Sequence, residues 1–182
     1  MEPIRLVSII AAGEGLMVIV ALVWARWAST PLQTGVWPAG LGWGIAAAAA
    51  LGFVNLGLLR LQRDAWPGSA LRHVCRAVVR PLFERVSLWQ IVLISALAGL
   101  GEELLFRGVL QPLVGLAAAS VLFGGVHIGG REFVGYGVWA TCIGFFLGWL
   151  TNVTGGLAAA VVAHALYDAL ALSFIRFGSI DV

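Results

Sequence analysis

Long apolar runs separated by short polar breaks constrain this chain more than any other feature of its sequence. A helix needs roughly 20 apolar residues to cross the hydrocarbon core of a bilayer. We therefore expect an all-α fold, a polytopic transmembrane helical bundle of about six spans in one membrane domain. The predicted spans, some of which include polar residues, are 6–27, 37–59, 88–107, 110–128, 133–151 and 157–177.

The composition supports a membrane protein and excludes an ordinary soluble domain. Hydrophobic residues make up 60% of the chain and charged residues 11%, whereas charged residues reach about a quarter of a typical soluble domain. All 11 basic residues are arginine, and the formal charge of +2 is too small and too dispersed for a nucleic-acid partner. The two cysteines, Cys75 and Cys142, cannot form a disulfide framework.

The chain divides into two N-terminal spans (6–62), a basic segment (63–87) and a four-helix core (88–177). The first apolar stretch is longer than a signal-peptide core and lacks a small-residue cleavage pattern, so we expect a retained helix. In the basic segment, apolar residues recur at helical spacing beside a row formed by Arg72, Arg76 and Arg80. This pattern favours an interfacial amphipathic helix on an anionic leaflet, with a solvated cytoplasmic loop as the alternative.

The arginines also predict the orientation, because short cytoplasmic loops collect positive charge. A cytoplasmic N-terminus puts every arginine except Arg26 and Arg107 on the cytoplasmic side. We therefore expect both termini in the cytoplasm, and the small size favours the inner membrane of a bacterium.

Two adjacent glutamates, Glu102 and Glu103, lie inside the third apolar run. A charged side chain at the bilayer centre costs about 2.5 to 3.5 kcal/mol even on lenient scales, so each glutamate needs a partner or a function. Glu103 and Arg107 are four residues apart on one helix face and can form an ion pair. Glu102 is rotated by about 100° from Glu103 on the helix, and this leaves it free for chemistry.

Two further spans each carry a polar residue that shares a helix face with a second motif residue four positions away. Phe123 precedes His127 on the fourth span, and His164 precedes Asp168 on the sixth. Two imidazoles and two carboxylates that meet in a low-dielectric interior can activate water, stabilise an oxyanion or hold a metal. The alternative for these residues is packing or an interhelical hydrogen-bond clamp.

The motifs Glu102-Glu103-x-x-x-Arg107, Phe123-x-x-x-His127 and His164-x-x-x-Asp168 resemble those of the CPBP family of intramembrane proteases. That family includes the CAAX endopeptidases of prenylated proteins and the bacteriocin-processing and Abi proteins, and the resemblance covers roughly residues 85–175. It implies an intramembrane endopeptidase in which Glu102 activates a water with help from His127. It also implies that His164 with Asp168 stabilises the oxyanion, while Glu103, Arg107 and Phe123 support the site.

Asp168 departs from the family pattern, because many members have asparagine at this position. An amide can donate a hydrogen bond to an oxyanion, whereas an ionised carboxylate would repel it. Asp168 must therefore stay protonated, orient His164 or bind a cation.

The resemblance leaves a metal-dependent and a metal-free mechanism open. Zinc would take its ligands from Glu102, His127, His164 and Asp168. We favour no metal cofactor, because a full ligand set would leave no free carboxylate at Glu102 to serve as base.

The expected partners are the bilayer and a membrane-associated substrate, such as a lipidated tail, a sorting helix or a leader peptide. The alternative function is a noncatalytic scaffold, an immunity protein or a small transporter that uses the same polar patch. The sequence leaves open the substrate, the oligomeric state and the roles of Glu14 and Asn55. Counting from the predicted helix ends puts Glu102 and His164 in the outer half and His127 nearer the cytoplasm, so the side of substrate approach also stays open.

Overall fold

The predicted all-α bundle is confirmed by a computed structural model, which describes residues 2–61, 65, 66 and 68–178. The helices are α1 (Pro3–Trp27), α2 (Trp37–Leu61), α3 (Gly68–Val74), α4 (Arg80–Phe83), α5 (Leu88–Glu103), α6 (Gln111–Val126), α7 (Val134–Thr154) and α8 (Leu157–Phe177). Two π-helical turns, Cys75–Val79 and Leu104–Leu110, join α3 to α4 and α5 to α6. A 3-10 turn, Arg131–Phe133, precedes α7. Arg63, which entered the orientation argument, lies outside the described residues.

Five helices of the described chain are long and apolar enough to cross a membrane. They are Pro3–Trp27, Trp37–Arg60, Leu88–Val126, Arg131–Thr154 and Leu157–Phe177. The third of them contains both the third and the fourth span expected from the sequence, because the chain stays helical between residues 108 and 112.

A π-helical turn explains why the break expected near Pro112 does not occur. Proline lacks the backbone N–H that an α-helix needs, but it is tolerated at the first turn of a helix. The Gln111 N–H donates to the carbonyl of Phe106, five residues back, so the π turn ends where the proline begins α6. The chain therefore crosses Pro112 without leaving a helical conformation.

The chain reverses direction at Gly115 instead. Gly115 has φ 84° and ψ 163°, a conformation that is essentially restricted to glycine. Phe106 and Phe123 would be about 25 Å apart along a straight helix, yet their ring centroids are 5.1 Å apart. The segment from α5 to α6 is therefore a helical hairpin with its tip at Gly115.

Small residues allow the helices of the bundle to approach closely. Gly40 and Gly44 on α2 lie against Ala158 and Val162 on α8. On α7, Gly144 lies against the α6 residues Phe123 and Ser120, and Gly148 lies against Gln111 and Leu116. Small residues four positions apart on α2 and on α7 thus serve contacts within one chain.

Both ends of the described chain lie on the same side of the bundle. Leu6 and Val7 of α1 share an apolar cluster with Phe83 and Val86, and Leu172 near the end of α8 packs against it. The turn before α7 is also on this side, since Gly135 lies against Ala70 of α3. We refer to it below as the terminal side.

The basic segment differs from the row of three exposed arginines expected from the sequence. Arg76 and Arg80 are exposed, but Arg72 is only 9% exposed and donates to the carbonyl of Leu59 at 2.8 Å. Arg72 thus caps the end of α2, because the last carbonyls of a helix have no partner within it. The π-helical turn after Val74 adds a residue to the helical repeat and rotates Arg72 away from the other two. In the same turn, burial raises the pKa of the Cys75 thiol to about 11, so this thiol stays protonated near neutral pH.

We expect Gly115→Ala to lower the free energy of unfolding by about 1 to 3 kcal/mol, because alanine is strained at this backbone conformation. Thermal unfolding in detergent, followed by circular dichroism, measures the effect. Gly57→Ala on α2 is the matched control, since a Cβ there meets no atom within 4 Å. The control should be neutral or stabilising. Equal stability of the two variants would contradict a strained hairpin tip at Gly115.

Candidate active site

The structure brings the seven residues singled out in the sequence into one cluster between α5, α6, α7 and α8, in which Glu103, Arg107, Phe123 and His164 are buried and Glu102, His127 and Asp168 are partly exposed. Glu103 lies at its centre with 0% of its side chain exposed. Its Oε1 atom accepts a hydrogen bond from Arg107 Nη1 at 3.0 Å and another from His164 Nδ1 at 2.7 Å. The sequence predicted the first contact but not the second.

Arg107 joins three elements of the bundle. Besides pairing with Glu103, it donates from Nη2 to the carbonyl of Gly144 on α7 at 3.3 Å. Its guanidinium lies over the ring of Phe123 on α6, 4.2 Å from the centroid, in a cation–π contact. Arg107 therefore has a structural role inside the bundle. This role explains why Arg107 is an exception to the rule that arginines collect on the cytoplasmic side.

His164 presents its second ring nitrogen to two other carboxylates. Its Nε2 atom is 3.5 Å from Asp168 Oδ2 and 3.9 Å from Glu102 Oε2. A carboxylate that already pairs with Arg107 can only accept, so Nδ1 of His164 donates its proton to Glu103. Any proton that His164 gives or takes during a reaction must then pass through Nε2.

Glu102, like Glu103, has a buried carboxylate oxygen without a hydrogen-bond partner among the described residues. In Glu102 this atom is Oε2, and the side chain is 12% exposed. A buried carboxylate oxygen without a donor is costly, and such atoms are rare in folded proteins. A water or substrate group between Glu102 and the Nε2 atom of His164 would supply the missing donor.

His127 is held by its own helix. Its Nδ1 atom is 2.7 Å from the carbonyl oxygen of Phe123, which can only accept, so Nδ1 carries the proton. This assignment follows from the hydrogen-bond network and leaves Nε2 with a free lone pair. The Phe123 ring lies between the two imidazoles, at 4.8 Å from His127 and 5.9 Å from His164.

The hairpin at Gly115 carries the chain back toward the terminal side and so determines where His127 lies. The returning arm, residues 116–126, is about 16 Å long and crosses roughly half of a hydrocarbon core. It therefore ends inside the bundle, where Gly124 lies against Gly137 and Thr141 of α7. His127 follows directly, and its ring contacts that of Phe123 on α6 and that of Tyr136 in the first turn of α7.

Glu14 on α1 is a site residue that the sequence did not identify. It is 8% exposed, its Oε2 atom has no hydrogen-bond partner among the described residues, and it lies against Gly101, next to Glu102. Glu14 is about 16 Å from the start of α1 and about 20 Å from its end, so the cluster lies near the middle of the membrane. The sequence signal was an acidic residue between two glycines in an apolar run, and no motif linked it to Glu102.

Tyr136 on α7 was also missed. Its ring meets that of His127 edge to face, with centroids 5.7 Å apart. A tyrosine in an apolar span is common at membrane boundaries, so its sequence position alone did not indicate a site.

The described residues contain no group of three or more histidine, cysteine, aspartate or glutamate side chains arranged to hold a metal ion. The free Nε2 atoms of His127 and His164 have the right chemistry for zinc, but they do not form a ligand set with the carboxylates here. We therefore derive no step through a metal.

Comparisons with known proteins agree with the motif resemblance. Residues 84–170 match the family model described as "Type II CAAX prenyl endopeptidase Rce1-like", a range that contains every motif residue. The uncharacterized protein YpbD of Bacillus subtilis is 35% identical over 98 residues, which are 54% of this chain and 52% of that protein. The aligned part thus spans about half the length of this relative. No solved structure matches significantly.

The buried contacts of Glu103 predict a strongly coupled pair. We expect Arg107→Met to lower the free energy of unfolding by about 3 to 5 kcal/mol, because it leaves a buried carboxylate without its cation. The double variant Glu103→Gln/Arg107→Met should be more stable than Arg107→Met alone, since it removes both charges. Thermal unfolding in detergent gives the coupling energy, and the exposed Arg26→Met is the control. Additive effects of the two substitutions would show that the pair is not coupled.

Proposed function

We propose that this chain, whose residues 84–170 match the Rce1-like family model, is an intramembrane endopeptidase. The observation that carries the proposal is the unpaired Oε2 atom of Glu102, which lies 3.9 Å from His164 Nε2 inside the bundle. An intramembrane carboxylate without a partner is expensive and marks a functional site by default.

We propose a glutamate-activated water as the nucleophile. Glu102 takes a proton from the water while the water oxygen attacks the carbonyl carbon of the scissile peptide bond. The free Nε2 atom of His127 accepts a hydrogen bond from the same water and orients it. When the carbon–nitrogen bond breaks, Glu102 returns the proton to the leaving amine, so the site regains its starting state.

His164 is the proposed donor to the oxyanion. Its Nδ1 atom is committed to Glu103, so only a proton on Nε2 can stabilise the negative oxygen of the tetrahedral intermediate. Asp168 contacts the same nitrogen at 3.5 Å and would hold this proton in place. Of the three roles that the sequence left open for Asp168, orientation of His164 therefore has the best geometric support.

The position of the cluster favours a substrate that enters the membrane. Glu102 lies beside the middle of α1. The substrate segment that carries the scissile bond must therefore unwind from any helix that it forms in the bilayer and extend into the bundle. Lipidated tails, sorting helices and leader peptides all meet this requirement, and helices of this chain would recognise them laterally.

We propose a bacterial inner membrane with both termini in the cytoplasm. Five membrane-capable helices support an integral membrane protein, and the two ends of the chain share one side of the bundle. Arg5, Arg76, Arg80 and Arg176 lie on or near that side, as the distribution of positive charge predicts for the cytoplasm.

A noncatalytic membrane protein is the second candidate. Two unpaired buried carboxylates from different helices, Glu14 and Glu102, also suit the passage of a proton or an ion. A scaffold or immunity protein would keep its function when the reacting groups are replaced, which separates it from a peptidase.

We expect Glu102→Gln and His127→Ala each to lower the cleavage rate by roughly 10² to 10⁴. The measurement is cleavage of candidate lipidated, leader and sorting-signal peptides by the purified protein in liposomes. Glu132→Gln is the matched control, because Glu132 is exposed in the turn before α7. Full activity in both site variants would refute the peptidase mechanism.

The Glu14→Gln variant tests whether the Glu14 carboxylate takes part in the reaction or only packs between helices. The amide keeps the shape that packs on Gly101 but removes a buried unpaired charge, so we expect stability to rise by about 1 to 3 kcal/mol. We expect the cleavage rate to fall at the same time, by less than in Glu102→Gln. A variant that cleaves at the normal rate would assign Glu14 to packing alone.

The metal-free mechanism predicts that activity persists after removal of divalent ions. Purified protein is treated with a strong chelator, its metal content is measured by elemental analysis, and cleavage is then assayed. Loss of activity that returns on addition of zinc, but not of magnesium, would replace this mechanism with a metal-dependent one.

A further inference from the structure

A basic cavity lies on the terminal side of the bundle, away from the candidate active site. It is open to one side, has a volume of about 380 Å³ and is lined by Arg76, Arg80, Pro81, Glu84 and Arg176. The residues come from two parts of the fold, namely the basic segment before α5 and the last turn of α8. The fold therefore brings the guanidinium group of Arg176 to those of Arg76 and Arg80, about 100 residues earlier in the sequence.

The charges of this cavity are not neutralised within the described chain. None of the salt bridges formed by the described residues joins Glu84 to an arginine of the cavity, so its lining carries a net positive charge. The Nε atom of Arg176 is buried and has no hydrogen-bond partner there. Arg176 also contacts the ring of Phe177 at 4.8 Å, which orients its guanidinium plane. A buried donor on a cationic group requires an acceptor, and an anion would supply one.

The surroundings of the cavity are those of a membrane boundary. Arg176 is at the end of α8, and Arg80 precedes the start of α5, so both flank helices that can span the bilayer. Leu82, Leu88 and Trp89 expose large apolar side chains in the same stretch. Tryptophan is typical of the headgroup level, where an apolar surface meets a polar one.

We propose that this cavity binds the phosphate group of an anionic phospholipid, whose acyl chains lie along the exposed apolar side chains. Guanidinium groups pair with phosphate oxygens through two parallel hydrogen bonds, and basic cavities between membrane helices on the cytoplasmic side suit anionic headgroups. A soluble anion would use the guanidinium groups but not the apolar border. The proposal is independent of the peptidase activity.

The test measures lipid binding to the purified full chain in detergent by native mass spectrometry. The probe is dioleoyl phosphatidylglycerol, and dioleoyl phosphatidylcholine has the same acyl chains and a phosphate but no net charge. We expect Arg76→Gln/Arg80→Gln and Arg176→Gln each to weaken binding of phosphatidylglycerol at least about tenfold. Arg5→Gln is the matched control, an exposed arginine near the same side but outside the cavity.

Glu84→Gln gives a test that does not depend on the folding of the arginine variants. Removal of the one carboxylate in the cavity should tighten binding of phosphatidylglycerol, because its negative charge opposes the phosphate. Weaker or unchanged binding in this variant would overturn the proposal. Equal binding of the two lipids, or equal loss in Arg5→Gln, would also overturn it.

Two further arms identify a different occupant. Inorganic phosphate that displaces the lipid completely at equal concentration would indicate a site for a free anion. An acidic peptide that binds with the same dependence on the arginines, while phosphatidylglycerol does not, would assign the cavity to a polypeptide. Either result would overturn the lipid assignment.

Discussion

The structure depends on one buried carboxylate, that of Glu103, which receives Arg107 from its own helix and His164 from α8. Moving an ionised group into a low-dielectric interior is costly, and the cost is offset only when each charge has well-placed partners. Arg107 extends the network to the carbonyl of Gly144 and to the face of Phe123. The contacts of Glu103 and Arg107 therefore hold α5, α6, α7 and α8 together around the candidate site.

This network has a direct chemical consequence, because it occupies one nitrogen of each imidazole. His164 gives its Nδ1 proton to Glu103, and His127 gives its Nδ1 proton to the carbonyl of Phe123. Both rings are thus held in orientation, and His164 turns its Nε2 atom toward Asp168 and Glu102. Glu102, the neighbour of the central carboxylate, keeps an unpaired oxygen near this nitrogen. The two adjacent glutamates thus meet different neighbours, since a helix turns by about 100° per residue.

Several parts of the fold follow from local patterns and could be predicted. The length of the apolar runs identified the helices, and the i,i+4 spacing identified the ion pair of Glu103 with Arg107, because both effects act within one helix. The hairpin at Gly115 could not be predicted in this way. Proline and glycine between residues 108 and 112 favour a break, but a π-helical turn absorbs the proline and moves the reversal to a glycine with positive φ.

By itself the sequence indicated a membrane-embedded helical bundle, an ion pair of Glu103 with Arg107, and three ordered motifs that resemble those of the CPBP family. Only the tertiary structure decided which partners meet across helices. It placed His164 on Glu103, Glu14 beside Gly101, Arg72 at the end of α2 and Arg176 in a cavity with Arg76 and Arg80. The physical reason is that helical periodicity specifies which residues share a face, whereas the rotation and depth of each helix are set by packing against its neighbours.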